Sequence, residues 1–415
     1  VQRRTMVDYT VAGVEGGVCA PRGFRAAGVD AGLTPGQGPD LGLIVSQQTS
    51  AAAGRFTVHP FASAPVRWSR ERLLAGTARA VLVHAGSANA ATGPDGDADA
   101  AALAARCAAA IGCPPAEVLL LGTGAVGTRL AVGDAAEAAE KAAAALGRRG
   151  SGEVAKALAA SGGTAREHAV AVAWSEGEVR IGGVAKASVP FAPAFADPSG
   201  PPSATTLVVL TTDATVGPAL LDGLLGRAVA RSFERVMVDQ APGMADGAIL
   251  LANATAAAPT LRAGSDGAAA FESALAQLCE SLAEGLALRV PGARKLVVVT
   301  VHGAAEHTGA LAAARAVAGS VALRASLAAG LAAWPAVLDA LATARVELDP
   351  DQVGVRFGPV TVVAGGQAAP HDERAAAAVV AKSQVDLAVD LGVGPAAATV
   401  TTTDLPPEAL GRHTG

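Results

Sequence analysis

A chain of 415 residues with 51% apolar and 17% charged side chains can bury a sizeable core, and its length suits two or three domains or one large intertwined α/β unit, which excludes disorder for most of it. Its 32 basic and 37 acidic residues leave a net charge of −5 with no basic stripe, and 3 Trp, 1 Tyr and 8 Phe offer few platforms for stacked bases, which argues against nucleic-acid binding. Mean hydropathy is +0.38, yet uncharged stretches such as residues 247–261, interrupted by Pro259, are too short to span a bilayer.

From the N-terminus, Arg3 and Arg4 have no apolar run behind them, so no secretory leader is expected and a cytoplasmic enzyme is the default. Apolar runs then predict strands over residues 41–46, 79–84 and 118–121, with Ala-rich amphipathic helices over 98–111 and 133–147. Strands follow at 168–174 and 179–184. The stretch 189–203, VPFAPAFADPSGPPS, holds five prolines and no periodic pattern, and reads as a surface loop between two domains. A strand over 205–211 begins abruptly at a Thr. Beyond it come a helix over 217–233, a strand over 248–252, a helix over 268–286, a strand over 295–302, a helix over 310–318 and strands over 360–363 and 385–389. The alternation is that of an α/β or α+β enzyme. Cys19, Cys107, Cys113 and Cys279 have no C-x-x-C spacing and read as reduced, mostly buried thiols.

Three motifs carry chemistry. Gly122-Thr123-Gly124-Ala125-Val126-Gly127 matches G-x-G-x-x-G after a strand, but no second strand ending in an acidic residue follows about 20 positions on, so a dinucleotide site is not expected. The same turn exposes backbone N–H groups and suits an anion or oxyanion pocket. His302-Gly303-Ala304-Ala305-Glu306-His307 has the wrong spacing for a zinc helix, and no metal is expected. The third, the small polar cluster from His84 to Asn89 with Thr92 to Gly96, is either a binding loop or an ordinary turn.

Taken together, GGVCAPRGFRAAGVDAGL (16–33), AGSANAATGPDG (85–96), TGAVG (123–127), GGVAK (182–186), ATTLVVLTTDA (204–214), and SFERVMVD with LLANA (232–254) resemble the ornithine acetyltransferase, or bifunctional glutamate N-acetyltransferase, family in order and spacing. The resemblance implies an α/β fold, a two-lobed sandwich with interleaved strands from two processed chains. One would be residues 1–204, with the oxyanion turn and a processing loop over 187–204; the other would be residues 205–415. It implies a cut between Ala204 and Thr205, and Thr205 as the nucleophile of a ping-pong acyl transfer between amino groups of amino-acid-like substrates. Residue chemistry agrees: a Thr hydroxyl is a poor nucleophile, and a freed α-amino group, with a pKa of about 8, puts a general base on the same residue.

By the same resemblance Thr123 and Gly124 are the oxyanion-hole pair, Lys186 binds a substrate carboxylate, and Asn89 and His413 contact substrate. No cofactor or metal is implied, and α/β heterodimers would assemble into a higher homo-oligomer. The plainer readings are that Gly124 is only a turn and Lys186 an exposed strand-end lysine. The departures bear on substrate. Pro291 stands where the family has a glutamate for the substrate ammonium, His84–Asn89 replaces two asparagines of the family's NSGNAN, and residues 242–246 keep only the aspartate, Asp246, of TSTND. Asp404-Leu405 matches, but the family's closing segment is replaced by Glu408 to Gly415. An acyltransferase with an altered substrate is therefore expected. The alternatives are an N-terminal-nucleophile amidohydrolase or aminopeptidase using the same Thr, and a catalytically dead binding paralogue.

Overall fold

The computed structural model describes residues 8–187, 205–237, 243–287 and 292–406. The loop 189–203, Ala204, Pro291 and His413 lie outside the described residues. Two compact units divide the chain, residues 1–234 with 241–286 and residues 235–240 with 287–415. The expected mixed α/β class is the one observed.

The first unit is built on a nine-stranded sheet. Its strands in chain order are β1 (Tyr9–Gly13), β2 (Phe24–Val29), β3 (Leu41–Phe56), β4 (Thr77–His84), β5 (Val118–Gly122), β6 (Thr164–Trp174), β7 (Gly177–Ala187), β8 (Thr206–Thr212) and β9 (Gly247–Ala252). Across the sheet they run β1-β6-β7-β8-β9-β3-β4-β5, with β2 also on β3. The pairs β8–β9 and β4–β5 are parallel and the rest antiparallel. The 204/205 boundary falls inside this unit, because β7 before it pairs with β8 after it.

Both faces of the sheet are covered, which is why its central strands read as unbroken apolar runs. Along β4, Val81 and Val83 face one core cluster while Ala80 and Leu82 face the other, and β5 divides Leu119 and Leu121 from Val118 and Leu120 in the same way. Helices α1 (Ala64–Arg72), α2 (Gly93–Ile111), α3 (Val132–Ala144), α4 (Ser151–Ala159), α5 (Pro218–Arg231) and α6 (Asp266–Ala287) surround it. Helices α2 and α3 bring Leu103, Cys107 and Ala138 to one cluster, and α4 brings Val154 and Leu158 to the other. Chemistry at the termini explains where two of them begin and end: Ser63 caps α1 by accepting from the Val66 amide, and α2 starts on Pro94 and stops at Gly112 in the left-handed region.

The second unit holds a six-stranded sheet of β10 (Leu296–Ala304), β11 (Gly354–Phe357), β12 (Val360–Ala364), β13 (Gln367–Ala368), β14 (Gln384–Asp390) and β15 (Ala396–Thr403), in the order β13-β12-β11-β14-β10-β15. Its helices are α7 (His307–Gly319), α8 (Val321–Ala328), α9 (Trp334–Thr343) and α10 (Glu373–Val380). Here Asp404 is buried and accepts the amides of Arg294 and Lys295, both at 2.9 Å. Among the described residues no single helix is long and apolar enough to cross a membrane.

All the strands and helices expected from periodicity are present, several of them longer. Strands β1, β2, β11, β13 and β15 and helices α1, α4, α8, α9 and α10 had no such signal. The four cysteines are free thiols; Cys19, Cys107 and Cys279 are buried, and burial pushes them up to about 11, 12 and 12.

Candidate active site

Four strand ends in the first unit supply the site, those of β5 and β7 and the starts of β8 and β9. Strand β5 ends at Gly122 and the chain turns through Thr123 and Gly124. The Thr123 amide donates to the His84 carbonyl at 2.9 Å, and its carbonyl accepts from Ser161 Oγ at 3.2 Å. Gly124 has φ +132°, and a Cβ there would overlap the Gly86 carbonyl, so this turn requires glycine. Next to it the Ala125 amide donates to Gly86 and the Ala88 amide to Ala125, both at 3.0 Å. Among the described residues the Gly124 amide makes no backbone hydrogen bond.

Lys186 lies on β7 opposite Leu207 of β8 and is fully buried. The reading of it as an exposed strand-end lysine is therefore corrected: β8 on one side and the turn after β5 enclose it. Its Nζ donates to Thr123 Oγ1 at 2.5 Å, across 63 residues of sequence. That bond uses a lone pair of the hydroxyl and leaves the hydroxyl proton available to donate elsewhere. Burial pushes the Lys186 ammonium down to about 7, against the opposing pull of Asp246.

Thr205 is half-buried and immediately precedes β8. The first residues of β8 and β9 run parallel, with Leu207 level with Gly247, so Thr206 and Asp246 stand side by side. The Thr206 amide donates to Asp246 Oδ1 at 2.6 Å and the Gly243 amide to Oδ2 at 2.8 Å. Burial pushes the Asp246 carboxyl up to about 7, while both amides and Lys186 pull it back. Thr123 and Lys186 thus form one hydrogen-bonded pair and Asp246 with the peptide that follows Thr205 another, with Lys186 and Asp246 coupled by charge.

Sequence reasoning did not assign Asp246 to the site. Its one signal was that it alone remained of the family's TSTND string, one residue before a strand. Asn89 is buried elsewhere, in the loop after β4. Its Nδ2 donates to the Gly96 carbonyl at 2.9 Å and its Oδ1 accepts from Thr92 Oγ1 at 2.8 Å, so both ends of the amide serve the loop itself.

His84, which opens that loop, ends β4 with 1% exposure, and neither ring nitrogen finds a partner among the described residues. The ring lies against Gly122. Burial pushes its pKa from 6.5 down to about 4, so it is neutral at pH 7. The folded chain therefore binds fewer protons than the unfolded chain between these values, and stability is lost as pH falls from 6.5 through 4. The loss is on the order of 3 kcal/mol. His84→Met is expected to lack this limb and to match wild type within about 1 kcal/mol at pH 8. Urea unfolding across pH 4–8 checks it; parallel curves for the two proteins would show that His84 does not titrate with folding.

In the second unit His302 lies within β10 opposite Asp390, whereas His307 opens α7 with Nδ1 2.9 Å from the Ala397 carbonyl. Among the described residues no three His, Cys, Asp or Glu side chains gather as a metal site. The strand after β5 in the chain is β6, which pairs antiparallel with β1 and β7, so Gly122–Gly127 opens no further parallel βαβ unit.

Fold and site together define a mixed α/β chain with a buried lysine and a buried aspartate beside the start of an internal strand. The chain belongs to the ArgJ family, whose model matches residues 25–408. It is 35% identical to the arginine biosynthesis bifunctional protein ArgJ of Synechococcus sp. over 391 residues, 92% of each chain. It is likewise 35% identical to the protein of that name from Mycobacterium tuberculosis over 397 residues, 94% of this chain and 93% of the other. Among solved structures, ornithine acetyltransferase from M. tuberculosis in complex with ornithine is 32% identical, covering 45% of this chain and all of that one, with a TM-score of 0.40.

Proposed function

We propose that this protein is an acyltransferase that moves an acetyl or related acyl group between amino groups of amino-acid-like molecules through an acyl-Thr205 intermediate. The observation that carries the reading is the two hydrogen-bonded pairs Lys186–Thr123 and Thr206–Asp246, which lie beside the start of β8 in a chain of the ArgJ family.

In the uncut chain Thr205 Oγ attacks the Ala204 carbonyl carbon, the Ala204–Thr205 C–N bond breaks as the ester forms, and the nitrogen takes up the hydroxyl proton to become the free α-amine; water then hydrolyses the ester, restoring the Thr205 hydroxyl and releasing residues 1–204 with a carboxylate. In turnover that amine takes the hydroxyl proton as Oγ attacks the acyl donor. The Thr123 hydroxyl and the Gly124 amide donate to the oxyanion, each worth about 3–4 kcal/mol. The donor amine leaves with a proton, the acceptor amine attacks the ester, and Thr205 is restored. Lys186 acts on this reading by polarising the Thr123 hydroxyl, and Asp246 by fixing the peptide after the nucleophile. Asn89 shapes the loop against which Gly124 rests.

The acceptor and donor differ from N-acetylornithine and glutamate on this reading, because residues 290–295, Val-Pro-Gly-Ala-Arg-Lys, carry no acid to pair with a substrate ammonium. A site lacking its paired charge discriminates against the charged partner by orders of magnitude.

Intact mass of purified protein tests the first step, with fragments 1–204 and 205–415 expected. Incubation with N-acetylated amino acids is then expected to add one acetyl group to the 205–415 fragment, and an added amine to remove it as the N-acetyl product. Release to water alone would instead make the protein a hydrolase, and an uncut, unacylated chain would leave a binding role.

A further inference from the structure

At the opposite end of β4 from His84 lies a cavity of about 530 Å³ that the chemistry above does not use. Its origin is a defect in β3. The register against β4 jumps from Val45 opposite Ala80 to Ser50 opposite Ala78, so residues 46–49 bulge out opposite Arg79 alone. Such bulges terminate pairing and open space beside a strand. The Gln47 amide on this bulge donates to the Gly23 carbonyl at 2.9 Å, which ties the floor to the start of β2.

Four arginines line the cavity: Arg22, Arg25, Arg79 and Arg148. Arg79 spends its guanidinium on two neutral carbonyls, of Ser46 at 3.4 Å and of Gly112 at 3.2 Å. Among the described residues none of the four has a carboxylate partner, whereas Arg55, Arg67, Arg106, Arg129 and Arg227 each do. No Asp or Glu is among the lining residues. Glu117, just before β5, accepts from Thr49 Oγ1 at 2.8 Å and is not among the lining residues. The backbone of Arg22 is itself held in place, its amide by Asp213 and its carbonyl by Asn253 and Thr255. Ile111 and Leu146 add an apolar wall.

Four like charges around one concavity repel one another and focus a positive potential into it, and a planar guanidinium fork matches phosphoryl and carboxylate oxygens in pairs. A single carboxylate leaves most of that charge unmet. We propose that this cavity binds a small anionic metabolite bearing at least two phosphoryl or carboxylate groups, at a site separate from Thr205. Arg79 and His84 stand five positions apart along β4, about 17 Å, so one compact ligand cannot occupy both places.

The test is calorimetric titration of the purified chain with inorganic pyrophosphate and with citrate, acetate serving as the single-charge control. It reads binding alone, so its outcome is independent of whether acyl transfer is found. Submillimolar binding of pyrophosphate or citrate with none of acetate is expected, the tighter of the two telling phosphoryl from carboxylate recognition. The double variant R25Q/R148Q, both exposed positions, is expected to weaken it at least about tenfold, whereas R262Q, an exposed arginine elsewhere, leaves it unchanged. Absence of binding by both probes, equal binding by R25Q/R148Q, or an equal loss in R262Q would overturn the proposal.

Discussion

Thr205→Ala is expected to give a single uncut chain with no measurable acyl transfer. Removal of a covalent nucleophile that works as a unit with its base and oxyanion donors costs on the order of 10⁵–10⁶ in rate. The same hydroxyl is needed for the cut on the proposed route, so both defects should appear together. Intact mass reads the first and transfer of a labelled acetyl group the second. Because Thr205 is half-buried at the edge of β8, the substitution should cost only about 1 kcal/mol of stability, and unfolding curves separate a lost nucleophile from a lost fold. Thr205→Ser is expected to restore both cutting and transfer in part. Cleavage after residue 204 in the Ala variant would assign the cutting to another group and remove the basis for Thr205 as nucleophile.

Asp246→Ala is expected to destabilise the fold by about 2–4 kcal/mol, the cost of leaving the Thr206 and Gly243 amides without their acceptor. The side chain is fully buried, it accepts two backbone amides, and it is the charge that draws Lys186 back toward protonation. Asp246→Asn keeps one acceptor but turns an N–H group toward a donor, so an intermediate loss is expected. The double variant Lys186→Met with Asp246→Asn should lie closer to wild type in stability than the two single losses summed, since losses at two buried groups coupled by charge are not additive. Activity should fall in all of them.

The pH dependence has a definite sign. Asp246 is raised from 3.8 to about 7 on folding, so its contribution is full below 3.8 and is lost as pH rises through 7. Lys186 is lowered from 10.5 to about 7, so its contribution is full above 10.5 and is lost as pH falls through 7. The pair therefore favours the fold least near neutrality, and the double variant should flatten that dip. Between pH 4 and 6.5 the Asp246 limb opposes that of His84, so each is read as a difference between wild type and variant. A dip that survives in the double variant would mean that other groups produce it.

Periodicity was enough to find β4, β5, β8, β9 and helices α2, α3, α5 and α6, because strands buried on both faces and amphipathic Ala-rich helices are local patterns. It did not find β2, whose FRAAGV is short and interrupted by a charge, or β15, whose AAATVTTT is rich in small residues. These become strands by pairing with β3 and β10. Helix α1 was hidden by Pro65 at its start and by four charged residues among nine. Residue strings brought Thr123, Gly124, Lys186 and Thr205 to attention. Those strings carried no sign of which of these side chains meet, or that Lys186 is buried.

By itself the sequence determined the α/β class, the family and the candidate threonine, since each is written in short runs of neighbouring residues. Tertiary structure alone decided that Lys186 reaches Thr123, that Asp246 holds the peptide after Thr205, and that four arginines ring a cavity behind a bulge in β3. Each of these rests on strand pairing between distant segments, and burial and charge pairing exist only once those segments are brought together.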